Sequence, residues 1–485
     1  MQGERSAGDE QWSSRTGFVL AAVGAAVGLG NVWRFSAVAG TNGGGAYVLP
    51  YLVAAFVLAA PLLVLEFAVG RAYRTDVVGA FRAVRPWLAP AGWAAVGAVF
   101  VLLSYYLVLT GWVLAFALAA LLGREFTFVA FTAGWAPVGY FLAAAAVVAV
   151  VVSLGVRDGI ERLSKLAIPI VFLVLVGLGA FAFTLPGARE GLTFLFAPRT
   201  DALADPGVWV AALGQVFFSL SVGQGVMLTY GAYLPDEVDL RRSAVVITVA
   251  DVAVALVAGV AIFPVVFSFG LEPSAGTALA FETLPTAFAA MPGGRFVAVA
   301  FFSLLFLAAV TSAVSLLEVG VSTATGNTRL SRRAATAALS VGMVVLGLPS
   351  ALSYSAVDLR LGGVPVLDAL DGSVGTFALP FTALLTVLAF VWLTEPAIVR
   401  ERLGGGSIVP LLRYAVPIVL GATTTYRLVT AGRGGFGRVP DAIHPDAGVA
   451  SLLVLGIVCL ALVGWYWTRE QQSSRAARRG RTERD

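Results

Sequence analysis

The sequence predicts an all-α polytopic membrane protein with twelve transmembrane helices, two of them interrupted at mid-length. Three observations predict it. The chain has 485 residues, of which 59% are hydrophobic and only 12% charged, too little polar surface to cover a water-soluble protein of that size. Twelve apolar segments are long enough to cross a hydrocarbon core, which takes about 20 helical residues. Segments 1 and 6, corresponding members of the two halves if segments 1 to 5 and 6 to 10 are related by inverted symmetry, are both interrupted at mid-length.

The twelve segments lie at 17–39, 47–70, 91–122, 138–155, 163–185, 207–231, 243–269, 296–325, 334–350, 374–395, 408–430 and 448–468. This divides the chain into an N-terminal segment (1–16), a first repeat (17–185), a second repeat (207–395), the pair 408–468 and a basic tail (469–485). Segment 1 contains Gly24, Gly28, Gly30, Asn31 and Arg34 between apolar residues. In hydrocarbon an unpaired backbone group costs several kcal/mol, so a break is tolerated only where it lines a cavity or is covered by protein. At such a break, carbonyls can bind a cation and N–H groups an anion. A glycine packing face would explain the small residues, but neither Asn31 nor Arg34. Segment 6 carries Gln215, Ser219, Ser221, Gly223, Gln224 and Gly225 at its middle.

An even number of spans puts both termini on one side. Placing them in the cytoplasm assigns 23 Lys or Arg to cytoplasmic stretches and 8 outside, the asymmetry the positive-inside rule expects. The net charge of +4 is dispersed between apolar runs and forms no nucleic-acid patch. Arg475, Arg478, Arg479, Arg481 and Arg484 read as a solvated anchor near lipid headgroups. The single cysteine, Cys459, excludes a disulfide framework, and the single histidine, His444, receives no role. No cleavable signal or glycosylation sequon is present, which suits the plasma (inner) membrane of a prokaryote. The loop from Arg71 to Pro86 has an amphipathic pattern and is expected to lie along the interface; the loop from Leu271 to Arg295 is long and partly apolar.

Trp12, the run Gly24 to Phe35, Asn42-Gly43-Gly44-Gly45-Ala46-Tyr47 and Pro50-Tyr51 together resemble the opening of the neurotransmitter:sodium symporter family, and the likeness extends from Trp12 to the last span. The resemblance implies a LeuT-type 5+5 inverted repeat with broken helices 1 and 6, in which the loop 271–295 folds as a lid over the outer vestibule. It implies one sodium site at the Ala26 carbonyl, Asn31, Ser219 and Asp251, and a second at the carbonyls of Gly24, Val27 and Ala308 with the hydroxyls of Thr311 and Ser312. Substrate carboxylate contacts fall to Tyr106 and the N–H groups of Leu29 and Gly30, and ammonium contacts to the carbonyls of Ala25, Phe218 and Ser221. Leu102, Tyr106, Phe218, Ser221, Gln224, Ser315 and Leu316 line the side-chain pocket, with Ala26 and Ser219 shared between substrate and ion. Gly28, where monoamine transporters of the family carry an aspartate, leaves room for a substrate that brings its own carboxylate. The cargo is thus expected to be a neutral amino acid. Gln224 stands where LeuT has phenylalanine; it either adds hydrogen-bonding groups to the pocket or packs without contacting the cargo.

An intramembrane carboxylate is expensive and by default marks a function. Asp251 is the most informative of these, and by resemblance its fixed charge replaces the chloride of chloride-dependent members, since Ala255 occupies the serine position of their anion site. Chloride-independent transport is expected, with Asp251 also a candidate proton carrier on the return step. Arg34 and Asp371 match the extracellular gate pair. Asp9 and Gly326 occupy the positions of the cytoplasmic pair, which is therefore missing, leaving Arg15 or another group to substitute. Glu66 and Glu318 are read as packing or cavity groups. Alternatives to sodium symport are proton coupling on the same fold and a transport-poor amino-acid sensor or leak channel. No nucleophile–base set, metal cluster or phosphate loop supports an enzyme. The oligomeric state is open.

Overall fold

A computed structural model describes residues 10–124, 127–198, 203–273, 279–394, 399, 402–403 and 408–431. The expected twelfth span, the basic tail, His444, Cys459 and Asp9 lie outside the described residues. In chain order the helices are α1 (Arg15–Ala26), α2 (Gly30–Thr41), α3 (Gly45–Tyr73), α4 (Val77–Val84), α5 (Pro86–Leu122), α6 (Ala136–Ser153), α7 (Val156–Ala182), α8 (Ala188–Phe196), α9 (Pro206–Ser219), α10 (Val226–Ala232), α11 (Leu240–Ser268), α12 (Leu284–Ala290), α13 (Gly294–Asn327), α14 (Arg332–Leu352), α15 (Val366–Trp392) and α16 (Ile408–Tyr426). Among the described residues, nine helices are long and apolar enough to cross a membrane, and α1 with α2 makes a tenth span bent by 51°.

Burial ranks the spans. The most apolar 18-residue window of α5 is 89% buried, and α5 packs along α13 and α6 at the centre of the bundle. A helix that is apolar on every side must be surrounded, either by protein or by lipid. In α6 and α14 the corresponding window is only 33% buried, and Leu142, Val147, Val150, Val341 and Val345 are exposed, the faces that a bilayer would cover.

Two helices begin well before the expected positions. α7 starts at Val156 instead of 163, and α15 at Val366 instead of 374. Both extensions contain carboxylates that a linear reading assigns to loops. Tertiary partners satisfy them: Glu161 accepts from the Ser13 N–H at 2.8 Å and pairs with Lys165 at 2.6 Å, while the Tyr354 hydroxyl donates to Asp368 at 2.7 Å.

Helix α4 is capped by Asp76, whose Oδ1 accepts from the Gly79 N–H at 3.1 Å and from Asn327 Nδ2 at 3.1 Å. Burial raises the Asp76 carboxyl above the ordinary aspartate value, against the lowering influence of these hydrogen bonds and of Arg82. With its folded pKa raised, the native state binds the extra proton above about pH 4, so stability falls as pH rises through that window. Asp76→Asn keeps the cap and removes the titration. Its melting temperature relative to the parent should therefore rise as the pH rises above about 4; a constant difference would refute the assignment.

In the segment between α11 and α13, Leu279, Phe281, Leu284 and Phe288 are buried. The Phe281 ring centroid lies 5.3 Å from Phe116, 5.5 Å from Trp112 and 5.8 Å from Phe128, so aromatic contacts pin it to α5 and to the turn of helix at Phe128–Thr132.

Candidate functional site

The site begins with two ends of main chain. α1 stops at Ala26, where Val27 turns to extended backbone (φ −78°, ψ 101°), and helical winding resumes at Gly30 in a π-type turn. α9 stops at Ser219. The next residues cannot continue it, because Ser221, Gly223 and Gly225 all sit at positive φ (53°, 79° and 71°) before α10 opens at Val226. Ser221, as an L-residue with a side chain, is strained there by about 1–3 kcal/mol. At Gly223 a Cβ would lie 2.6–2.8 Å from Ala383, so only glycine fits. Glu66 of α3 secures this second break, accepting from the Gly223 N–H at 2.7 Å; this gives it a more definite task than helix packing.

The two breaks face each other and exchange partners. Ser221 Oγ donates to the Ala25 carbonyl at 3.0 Å, and Gln215 Nε2 donates to the Gly30 carbonyl at 2.7 Å. Carbonyls and N–H groups freed at a helix end need such partners when no water reaches them. Between the breaks and α5 and α13 lies a small cavity of about 20 Å³. Ten residues singled out from the sequence line it: Ala25, Ala26, Gly30, Leu102, Tyr106, Phe218, Ser219, Ser221, Gln224 and Leu316. Gly28 and Ser312 line it as well. Leu29 and Ser315 do not. The Leu29 N–H instead donates to the Tyr106 hydroxyl at 3.1 Å, and Ser315 Oγ bonds back to the Ser312 carbonyl at 2.7 Å.

On one flank of the cavity, Asn31, Ser219 and Asp251 converge. Ser219 Oγ donates to Asp251 Oδ1 at 2.6 Å, and Asn31 Nδ2 reaches the same oxygen at 2.6 Å and Ser219 Oγ at 2.9 Å. The Tyr51 hydroxyl approaches Asp251 Oδ2 at 3.4 Å. Asp251 and Asn31 are both fully buried. Asn31 turns its amide nitrogen to the cluster and its Oδ1 to the Gly28 N–H at 3.0 Å, so the hard oxygens here are those of Ser219 and Asp251, with one formal negative charge, the chemistry that suits a small hard cation.

On the other flank, Ser312 Oγ leaves its own helix and points at α1, lying 3.3 Å from the Gly24 carbonyl, 3.1 Å from that of Ala25 and 3.5 Å from that of Val27. Thr311 Oγ1 bonds back to the carbonyls of Ala308 (2.9 Å) and Leu307 (3.2 Å), as hydroxyls in helices commonly do. Of the five residues expected for the second ion, Ser312, Gly24 and Val27 therefore meet at the end of α1, while Thr311 and Ala308 bond to each other within α13. Among the described residues there is no group of three or more His, Cys, Asp or Glu of the kind that holds a transition metal.

Above the cavity, Arg34 and Asp371 do not form an ion pair within 4.0 Å and hold separate partners. Arg34 donates to Gln215 Oε1 at 2.9 Å and lies 4.7 Å over the Phe218 ring, while Asp371 accepts from the Tyr105 hydroxyl at 3.1 Å. Phe218 is thus covered by Arg34, and Arg34 is positioned by Gln215.

Below the cavity the structure supplies what the sequence left open. Arg332, at the start of α14, pairs with the fully buried Glu318 at 2.5 Å and lies 3.6 Å from Glu10. The Tyr233 hydroxyl donates to Glu318 at 2.8 Å. Trp12 sits against Tyr230 and Tyr233, donating its indole N–H to the Tyr230 carbonyl at 3.0 Å. Arg15 belongs to none of these pairs. At Gly326 a Cβ would stand 2.5 Å from Asp76 Oδ2, so the carboxylate at this spot comes from the loop before α4 and not from α13. Glu10 and Arg332 were missed because neither lies in an apolar span; only the unplaced partner of Glu318 hinted at them.

A family model described as the Sodium:neurotransmitter symporter family matches residues 9–137 and 132–401. The Bacillus subtilis (strain 168) protein described as the uncharacterized sodium-dependent transporter YhdH is 36% identical over 433 residues, 84% of this chain and 96% of the relative. The mouse sodium-dependent neutral amino acid transporter B(0)AT3 is 31% identical over 293 residues, 53% of this chain and 47% of the relative. The crystal structure of MhsT in complex with L-phenylalanine superposes with a TM-score of 0.80 at 37% identity, covering 86% of this chain and 99% of that one.

Proposed function

Because this chain belongs to the sodium:neurotransmitter symporter family, a family of integral membrane transporters and not enzymes, we propose that it imports a neutral amino acid by sodium-coupled alternating access. One observation carries the reading: two oxygen-rich clusters, Ser219–Asp251 held by the Asn31 amide and Ser312 with the carbonyls of Gly24, Ala25 and Val27, flank a single small cavity between two interrupted helices. Main-chain and hydroxyl oxygens can strip water from sodium without a surplus of charge in lipid. The first cluster adjoins the cavity through Ala26 and Ser219, so a substrate carboxylate seated there completes the shell of the ion. Ion and solute then bind together. Gly28 and Tyr106 at the cavity favour a substrate carrying its own carboxylate, and no unpaired charge lines it.

We read residues 17–185 and 207–395 as the two repeats, followed by two further spans to give twelve, with both termini in the cytoplasm of a plasma (inner) membrane. Two sodium ions are proposed, each gaining about 2.3 kcal/mol per 100 mV and about 1.4 kcal/mol per tenfold gradient. The groups that resemble a chloride shell, Tyr51 and Ser219, are turned to Asp251, while Gln215 serves Arg34 and Gly30, which favours chloride independence. A thermal-shift screen of the twenty amino acids in sodium or potassium tests the assignment. Stabilisation by neutral amino acids in sodium only is expected; equal shifts in potassium would reject sodium coupling.

Closure on the cytoplasmic side falls to the Glu10–Arg332–Glu318 cluster with Trp12. Removing one partner of a buried ion pair costs about 3–5 kcal/mol because the remaining charge is stranded. Arg332→Ala should therefore open this face: a cysteine placed at Ser322, 3% exposed beside Tyr233, should react with an aqueous thiol reagent at least tenfold faster in that background. Unchanged reactivity would remove Arg332 from the closure.

A further inference from the structure

We propose that Gln224 is a specificity-determining residue that offers the cavity a fixed hydrogen-bond acceptor and selects neutral amino acids whose side chain carries a donor, such as a hydroxyl. The proposal rests on the amino-acid symport reading and names the substrate class within it. Gln224 is 2% exposed and lines the cavity. Its Nε2 donates to the carbonyls of Phe217 at 3.2 Å and Phe218 at 3.4 Å, the orphan acceptors left where α9 ends. The opposite amide orientation would set Oε1 against two carbonyl oxygens, so the hydrogen-bond network dictates which way the amide faces. The amide is planar, and anchoring its nitrogen on the break turns its oxygen away from the break.

Among the described residues Oε1 accepts no hydrogen bond, yet it is not one of the sealed, unpartnered side-chain atoms, so it meets the open space that Gln224 borders, the cavity itself. The hydroxyls around the cavity are already committed: Ser219 to Asp251, Ser221 to the Ala25 carbonyl, and Ser312 to the carbonyls at the end of α1. A ligand side chain without a donor would bury the Gln224 oxygen unpaired, whereas a donor of the same shape would pair it. Sites built this way discriminate strongly against the analogue lacking the polar group.

Competition within near-isosteric pairs tests this. Threonine against valine and tyrosine against phenylalanine are compared by sodium-dependent thermal shift and by uptake into proteoliposomes. In the unmodified protein the donor-bearing member of at least one pair should bind tighter by about tenfold or more. Gln224→Met and Gln224→Leu, which keep bulk but lack the amide, should bring that ratio within about twofold. A ratio near one in the unmodified protein, or a ratio that persists in either variant, overturns the proposal. Failure of every amino acid to shift the unmodified protein in sodium would instead overturn the symport reading, and the proposal with it.

Discussion

Asp251→Asn is expected to lower chloride-free, sodium-driven uptake more than a hundredfold, and either to leave no coupling or to make transport depend on added chloride. Asp251 is fully buried and its carboxylate is the charge around which Asn31, Ser219 and Tyr51 are arranged, with contacts of 2.6, 2.6 and 3.4 Å. Taking away a buried charge that faces a bound cation costs about 3–5 kcal/mol, which corresponds to a factor of a hundred or more. The asparagine is nearly isosteric, so the fold and the hydroxyl partners remain. Those hydroxyls and the Asn31 amide would then face a site without an anion, which chloride could fill. Uptake into proteoliposomes made in gluconate and in chloride, each with an inward sodium gradient, reads both outcomes. Uptake in gluconate equal to that of the parent would dismiss Asp251 as the counter-charge.

Gly28→Ala is expected to weaken amino-acid binding about a hundredfold while leaving the protein folded. The added Cβ would lie 2.5 Å from Ser312 Oγ and 2.7 Å from the Tyr106 hydroxyl. Neither can withdraw freely, since Ser312 is held by three carbonyls around the end of α1 and Tyr106 receives the Leu29 N–H. A displacement of about 1 Å at a site of this kind commonly costs two orders of magnitude in function. Gly134→Ala, where a Cβ would meet nothing within 4 Å, is the matched control and should behave as the parent. Isothermal titration with a neutral amino acid in sodium distinguishes the two. Wild-type affinity in Gly28→Ala would mean that the substrate does not use the space beside Gly28.

The place of the candidate site is legible in the sequence because its signals are local. Glycines and amides within an apolar run conflict with crossing lipid, whatever they touch, and α1 ends at Ala26 inside the run picked out for that reason. Asp251 stood out by the same logic of cost. Partners were another matter. Asp9 and Gly326 offer no ion pair of their own, whereas the structure places Arg332 between Glu318 and Glu10, one of them more than 300 residues distant in sequence. The early starts of α7 and α15 were hidden because Glu161 and Asp368 look like loop residues until Ser13 and Tyr354 are seen to meet them.

By itself the sequence determined that this chain lives in a bilayer and where its long helices are interrupted, because apolar length and backbone-breaking residues act on the strand that contains them. Tertiary structure alone decided which oxygens share a cluster, that Gln224 turns its nitrogen to the α9 carbonyls, and that Arg34 rests on Gln215 and Phe218. The physical reason is range. Hydrophobic transfer and helix winding are settled within a few turns, whereas a hydrogen bond or ion pair depends on angstrom-scale approach between helices that only packing brings together.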